Sequence, residues 1–309
     1  MHLVCGEALF DLFLKDGAVP SSLEIDGRAG GSPFNVAIGM VRQGAAVGLC
    51  TGISEDLLGE RLVALLSREG VNTEYLVRTG RRTTLSIVDL STDSAPAYAF
   101  YGLGSADCSL TSADLPDIGD GLTGLHFGSY SIVVEPAASA FAALAARNKE
   151  LFISLDPNIR PTVEPDPDIW RKRIHQMLTV ARLVKASSED LELLYPESSI
   201  GAIISGWLGM RPELVVITDG GSAVHAFHKS GSLSVLPPKV DVADTVGAGD
   251  AFQAALLAEL QINNHMTESL DNIADKKLEQ ILRYAAEVAA VTCTRRGADI
   301  PKRTPRSRA

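Results

Sequence analysis

From about residue 123 onward, short apolar runs alternate with segments of helical periodicity. Residues 125–127, 151–155, 182–184 and 214–217 are short and nearly unbroken in apolar character, the pattern of strands buried on both faces. Between them, residues 136–147, 169–178, 189–194 and 200–208 space their apolar positions as helices do. This alternation predicts an α/β fold with a mostly parallel sheet covered on both sides, and binding groups at the carboxyl ends of its strands. Asp156, Lys185, Thr218 and Asp250 then fall along one sheet edge. Residues 84–90 and 96–101 are rich in β-formers and flank a polar turn at 91–95, which predicts a hairpin. With the segment 12–25 the hairpin would build a small sheet standing off the main one.

Two helix starts carry chemistry as well as pattern. In Asp244-Thr245-Val246-Gly247-Ala248-Gly249-Asp250-Ala251-Phe252, a run of small residues precedes the Ala/Leu-rich segment 253–260. The first-turn N–H groups of a helix lack internal partners and its dipole adds partial positive charge, so an anion is favoured there. Gly247, Ala248 and Gly249 leave the backbone open to that anion, and Asp250 beside it is a candidate proton acceptor. Upstream, Gly30-Gly31-Ser32-Pro33-Phe34-Asn35-Val36-Ala37 predicts a second helix, with Ser32 as N-cap, Pro33 at the first position and Gly44 past the end. A helix start requires neither the paired glycines nor the amide of Asn35.

The 309 residues suffice for one large α/β domain, and a hydrophobic content of 46% provides a substantial core. The net charge of -10 argues against nucleic-acid or anionic-membrane partners. Cys5, Cys50, Cys108 and Cys293 are far apart without C-x-x-C spacing, so neither a zinc site nor a disulfide framework is expected, and a cytoplasmic setting fits. No segment approaches the ~18 consecutive apolar residues of a membrane span. The basic run at 302–308 reads as a solvated end.

The Asp244 to Phe252 string and the Gly30 to Ala37 string resemble the two signatures of the ribokinase (PfkB-type) family of carbohydrate kinases, and the resemblance runs the length of the chain. It implies a ribokinase-like three-layer αβα sandwich, here one domain over 1–309, with a β lid from about 12–28 and 83–105 that covers the sugar and often pairs with a second subunit. It implies that Asp250 takes the proton from a sugar hydroxyl while the amides of Gly247, Ala248 and Gly249 stabilise the phosphoryl group in flight. Gly30 and Gly31 would let the backbone approach the sugar, Asn35 would bond its hydroxyls, and Asp11, at the end of the apparent first strand 3–11, would grip it.

The family's remaining parts map less evenly. Ser187-Ser188-Glu189-Asp190 stands where an Asn-x-x-Glu motif organises magnesium through water, so Glu189 and Asp190 share that assignment. Thr218-Asp219-Gly220-Gly221 resembles the nucleotide-side turn, with Lys185 reaching the same phosphates and Gly249 serving both sides of the transfer. Ala286 occupies the place of an adenine-pocket Asn in many members. The family's monovalent-cation site would fall on Asp244 and the Val246 carbonyl, with potassium as the ion. Asp156-Pro157-Asn158-Ile159-Arg160 resembles a turn of fructokinases and 2-keto-3-deoxygluconate kinases, in which Arg160 offers a planar donor fork.

The expected activity is therefore ATP- and magnesium-dependent phosphorylation of a small sugar at a primary hydroxyl, with fructose first. 2-Keto-3-deoxygluconate and ribose are the alternatives, and a sugar-binding regulator without turnover is the rival of another class. A nicotinamide dehydrogenase would need G-x-G-x-x-G after the first strand, and a P-loop enzyme G-x-x-x-x-G-K-[ST]; the chain has neither.

Overall fold

A computed structural model describes residues 1–15, 22–89, 97–119 and 121–304. The strands are β1 (His2–Cys5), β2 (Leu9–Lys15), β3 (Glu24–Gly30), β4 (Val47–Ser54), β5 (Leu76–Thr79), β6 (Thr84–Asp89), β7 (Ala97–Tyr101), β8 (Gly124–Gly128), β9 (Phe152–Asp156), β10 (Leu183–Ser187), β11 (Leu214–Asp219), β12 (Ala223–His228) and β13 (Gly231–Val235). The helices are α1 (Ser32–Arg42), α2 (Leu57–Glu69), α3 (Ala137–Arg147), α4 (Pro167–Leu178), α5 (Ser188–Leu194), α6 (Ile200–Leu208), α7 (Ala248–Ile262) and α8 (Asp275–Cys293).

Among the described residues, nine strands form the main sheet in the order β13-β12-β11-β10-β9-β8-β1-β4-β5. All neighbours from β11 to β5 pair parallel, and β12 and β13 close one edge antiparallel. Because side chains alternate along a strand, each strand feeds two cores. Val4, Leu214 and Val216 join α1, α2, α7 and α8 on one face, while Leu3, Cys5, Val215 and Ile217 join α3, α4, α5 and α6 on the other. The expected three-layer sandwich is thus present. Helix α7 is buried from Asp250 through Leu260, so its N-terminus is held at a fixed place in the sheet edge. Each fully buried leucine on it contributes roughly 2 kcal/mol of burial.

A second sheet, β3-β2-β6-β7, is the lid. The hairpin β6–β7 has the expected antiparallel pairing, and the turn at 91–95 lies outside the described residues, as do 16–21 of the segment 12–25 and 305–308 of the basic tail. One boundary differs from expectation. Residues 3–11 form two strands in two sheets, because the chain turns at Gly6 (φ 151°) and Glu7 between β1 and β2. Asp11 therefore belongs to the lid, paired in register with Arg28 and Ser86, and the lid begins at Leu9. Phe100 packs edge-on against Tyr130 at 4.9 Å between centroids, whereas Tyr101 is exposed.

The four cysteines are free thiols. No helix among the described residues is long and apolar enough to cross a membrane.

Candidate active site

The N-terminus of α7 is open. Its cap residue Gly247 has the left-handed φ of 79°, and no side chain caps the helix. A Cβ at Gly247 would stand 2.4 Å from the Ala298 Cβ, so both conformation and space demand glycine. The Ala248 N–H turns back to the Thr245 carbonyl at 3.2 Å. Ala248 thus has an acceptor within its own turn, unlike the amides on either side. The Gly247, Gly249 and Asp250 N–H groups have no acceptor among the described residues.

Beside Gly249 lies a positive charge. A Cβ there would meet only the Lys185 Nζ, at 3.3 Å. Lys185 points from the parallel strand β10 and is bonded at 2.9 Å to the Asp156 Oδ2 at the end of β9, with 4% and 1% of the two side chains exposed. Burial pushes the Asp156 pKa up to about 6 even with Lys185 beside it. Burial also opposes the ammonium, yet Asp156, Asp190 and Asp250 hold the Lys185 pKa above its ordinary value. At neutral pH both partners are charged. Lys185 thus stands at the open helix end itself, with Asp156 as its partner.

The Asp250 carboxylate, 8% exposed, receives one hydrogen bond on each oxygen. The Ser32 hydroxyl donates to Oδ1 at 2.6 Å and the Asn35 amide to Oδ2 at 2.8 Å. Both donors come from the first turn of α1. Gly31, with φ 103°, is the residue that caps α1, and Ser32 is already inside the helix, so Ser32 is not the N-cap expected from its type. Its N–H donates instead to the Glu7 Oε1 at 3.2 Å.

The glycine pair has a steric reason. A Cβ at Gly30 would lie 2.5 Å from the Asp11 Oδ2, and one at Gly31 would lie 2.9 Å from the Glu7 carbonyl oxygen. Burial raises the pKa of Asp11, opposed by Ser86 and Arg160 and reinforced by Asp250. Asp11, Arg160 and Asp250 are therefore electrostatic neighbours, although they come from the lid, the β9–α4 connection and α7. Arg160 is exposed, and among the described residues its guanidinium bonds only the Ile159 carbonyl.

The expected metal residues divide. The Asp190 carboxylate accepts from the Ser187 N–H and hydroxyl and from the Ile159 N–H, and completes a capping box for α5. It is thereby committed to holding the turn that carries Arg160, which leaves Glu189, exposed, as the free acid of that pair. No cluster of three or more His, Cys, Asp or Glu side chains suited to a metal exists among the described residues. Thr218 pairs in register with Ser187, and its hydroxyl lies 3.5 Å from the Ala186 carbonyl. Gly220 follows with φ 49° and open space around it. Asp244 bonds the N–H groups of Val246 at 3.0 Å and Gly297 at 2.7 Å, fixing the approach to α7. Ala286 is buried in the core of α8.

Ser32 and Glu7 were not singled out by sequence reasoning as site residues. Ser32 passes for an ordinary cap, but Glu7 carries a signal: a carboxylate inside the apolar stretch 3–10.

With a buried carboxylate, open amides and an ammonium converging on one helix end, the site can accept a proton from an alcohol and stabilise an anionic group beside it. The pfkB family carbohydrate kinase model matches residues 3–305. The chain is 38% identical over 269 residues to a fructokinase of Rhizobium leguminosarum bv. trifolii, covering 87% of this chain and 82% of that one. It superposes on the crystal structure of fructokinase with bound ATP from Xylella fastidiosa with TM-score 0.88 and 28% identity, covering 96% and 93% of the two chains. For the fructokinase of Vibrio cholerae O395 in its fructose, ADP and calcium ion bound form, the values are 0.81, 26%, 96% and 94%. A helix end of this kind, on a ribokinase-like sheet and within a match spanning almost every residue, makes the chain a member of the pfkB family of carbohydrate kinases.

Proposed function

We propose that the protein transfers the γ-phosphate of ATP to the primary 6-hydroxyl of fructose, giving fructose 6-phosphate and ADP. The observation that carries this reading is the open N-terminus of α7, where Asp250 sits beside uncapped amides and the Lys185 ammonium. The names of the similar fructokinases supply the choice of sugar and nucleotide.

In this mechanism Asp11, Asn35, Arg160 and the Gly30–Gly31 backbone hold the sugar, and Asp250 accepts the hydroxyl proton. The freed oxygen electrons form the new bond to phosphorus as the bond to ADP breaks. Charge on the transferred group meets the Gly247 and Gly249 N–H groups and Lys185, which are fixed before the reaction begins. Thr218 and Gly220 line the nucleotide side. Magnesium brought by ATP would offset charge on the phosphates, and Glu189 is the residue that would hold it, through water. The two Asp244 oxygens each accept one N–H and keep lone pairs free, and the Val246 carbonyl has no donor among the described residues, so this turn suits potassium.

The chain works in this reading as one domain, since both cores share one sheet, and in a reducing compartment such as the cytoplasm. The lid edges β3 and β7, with exposed Ile25 and Tyr101, would meet a second copy in a homodimer. Steady-state ADP release with ATP, magnesium and a panel of sugars tests the proposal. Turnover with fructose is expected; turnover with 2-keto-3-deoxygluconate and none with fructose would contradict it.

A further inference from the structure

We infer that Ser32 is a positioning residue for Asp250, fixing Oδ1 so that Oδ2 is the oxygen that accepts the sugar's proton. The two hydrogen bonds on Asp250 are not equivalent. Ser32 is buried, and its backbone is tied to the Glu7 Oε1, itself in a side chain 1% exposed. At Gly31 a Cβ would stand 2.9 Å from the Glu7 carbonyl oxygen, so the start of α1 runs close along the Glu7 backbone. The buried Ser32 hydroxyl has Asp250 as its partner, at 2.6 Å. Asn35 is only partly buried, one helical turn further along, and its amide donates to Oδ2 at 2.8 Å.

Each Asp250 oxygen accepts one hydrogen bond and keeps a lone pair, and the oxygen open to an incoming sugar hydroxyl is Oδ2, beside the less buried Asn35. Asn35 can turn its amide to a sugar oxygen and release Oδ2, whereas moving Ser32 would uncover a buried carboxylate and break the start of α1. One donor is therefore permanent and the other exchangeable. The permanent bond stops the carboxylate from rotating when Asn35 leaves, so the base keeps its aim at the moment of transfer.

The inference rests on the role proposed for Asp250, and the experiment separates the two. Wild-type, Ser32→Ala and Ser32→Thr proteins are compared for kcat and KM with fructose and ATP, and for Tm. Ser32→Ala should lower kcat by about 10- to 100-fold, the worth of a hydrogen bond to a charged group, with KM for fructose within about 3-fold of wild type. Ser32→Thr, which restores the hydroxyl, should recover most of the lost kcat at equal or lower Tm, a recovery that a packing role would not give. In the structure of the fructose complex, the 6-hydroxyl should lie on Oδ2 with Ser32 still on Oδ1. A fully active Ser32→Ala, a Ser32→Thr no better than Ala, or a sugar hydroxyl on Oδ1 would each overturn the inference while leaving the kinase reading intact. A wild-type chain without sugar-dependent ADP release would overturn both.

Discussion

The Lys185 ammonium and the Asp156 carboxylate form a buried ion pair beside Gly249. Two neighbouring parallel strands end there, and the pair puts a positive charge where a migrating phosphoryl group would gather negative charge. A buried pair of this kind is weak as a source of stability but costly to break on one side. Asp156→Asn should therefore lower stability by about 3 kcal/mol in denaturant unfolding. The double change Lys185→Met with Asp156→Leu should recover much of that stability while kcat stays down by about 10²-fold or more. Recovery of turnover together with stability would reduce the pair to a packing element.

The glycines of the helix start separate by their surroundings. Gly247 is constrained by a left-handed φ and by Ala298, whereas Gly249 faces only the Lys185 Nζ. Gly247→Ala should lower Tm, with a cost of about 1–3 kcal/mol from backbone strain. Gly249→Val, which keeps the N–H but screens it with a side chain, should leave Tm nearly unchanged yet lower kcat by at least about 10²-fold, as the loss of access to a preorganised donor would. Thermal unfolding and steady-state kinetics on the two variants check the split; equal effects on Tm would contradict it.

Glu7 links the site to pH. Burial, with Asp107 nearby, raises its pKa to about 7, against the pull of the Ser129 and Ser131 hydroxyls. Its folded value thus lies above the ordinary carboxylate value of 4.5. Between these values the folded state binds the extra proton, so this group's contribution to stability falls as pH rises from about 4.5 to about 7. Glu7→Gln removes that dependence. It should raise stability at pH 8 by at most about 3 kcal/mol and change little at pH 4.5, as read from denaturant midpoints. A stabilisation that is the same at both pH values would show that Glu7 is not titrating in this range.

Much of this arrangement was legible in the chain itself. The small residues before α7 announced an uncapped helix end, and uninterrupted apolar runs marked β8 to β11 because those strands are buried on both faces. The edge hairpin β12–β13 did not stand out, since half its residues face outward and its apolar pattern is broken. The resemblance presents 3–11 as a single first strand, whereas β1 and the start of β2, both buried, join different sheets. Ser32 and Asp190 show a different limit. Residue type suggested a cap for Ser32, whose hydroxyl bonds Asp250, 218 positions away, and the resemblance that pointed Asp190 toward magnesium through water gave no sign of its bonds to Ile159 and Ser187.

The account turns on Asp250 as proton acceptor, and Asp250→Asn tests it with the least disturbance. The asparagine keeps the shape and an oxygen for Ser32 or Asn35 but cannot take a proton at neutral pH. Steady-state turnover of fructose and ATP should fall by about 10²–10⁴-fold in kcat, with Tm and fructose affinity close to wild type. Turnover within a few-fold of wild type in the folded variant would contradict the account.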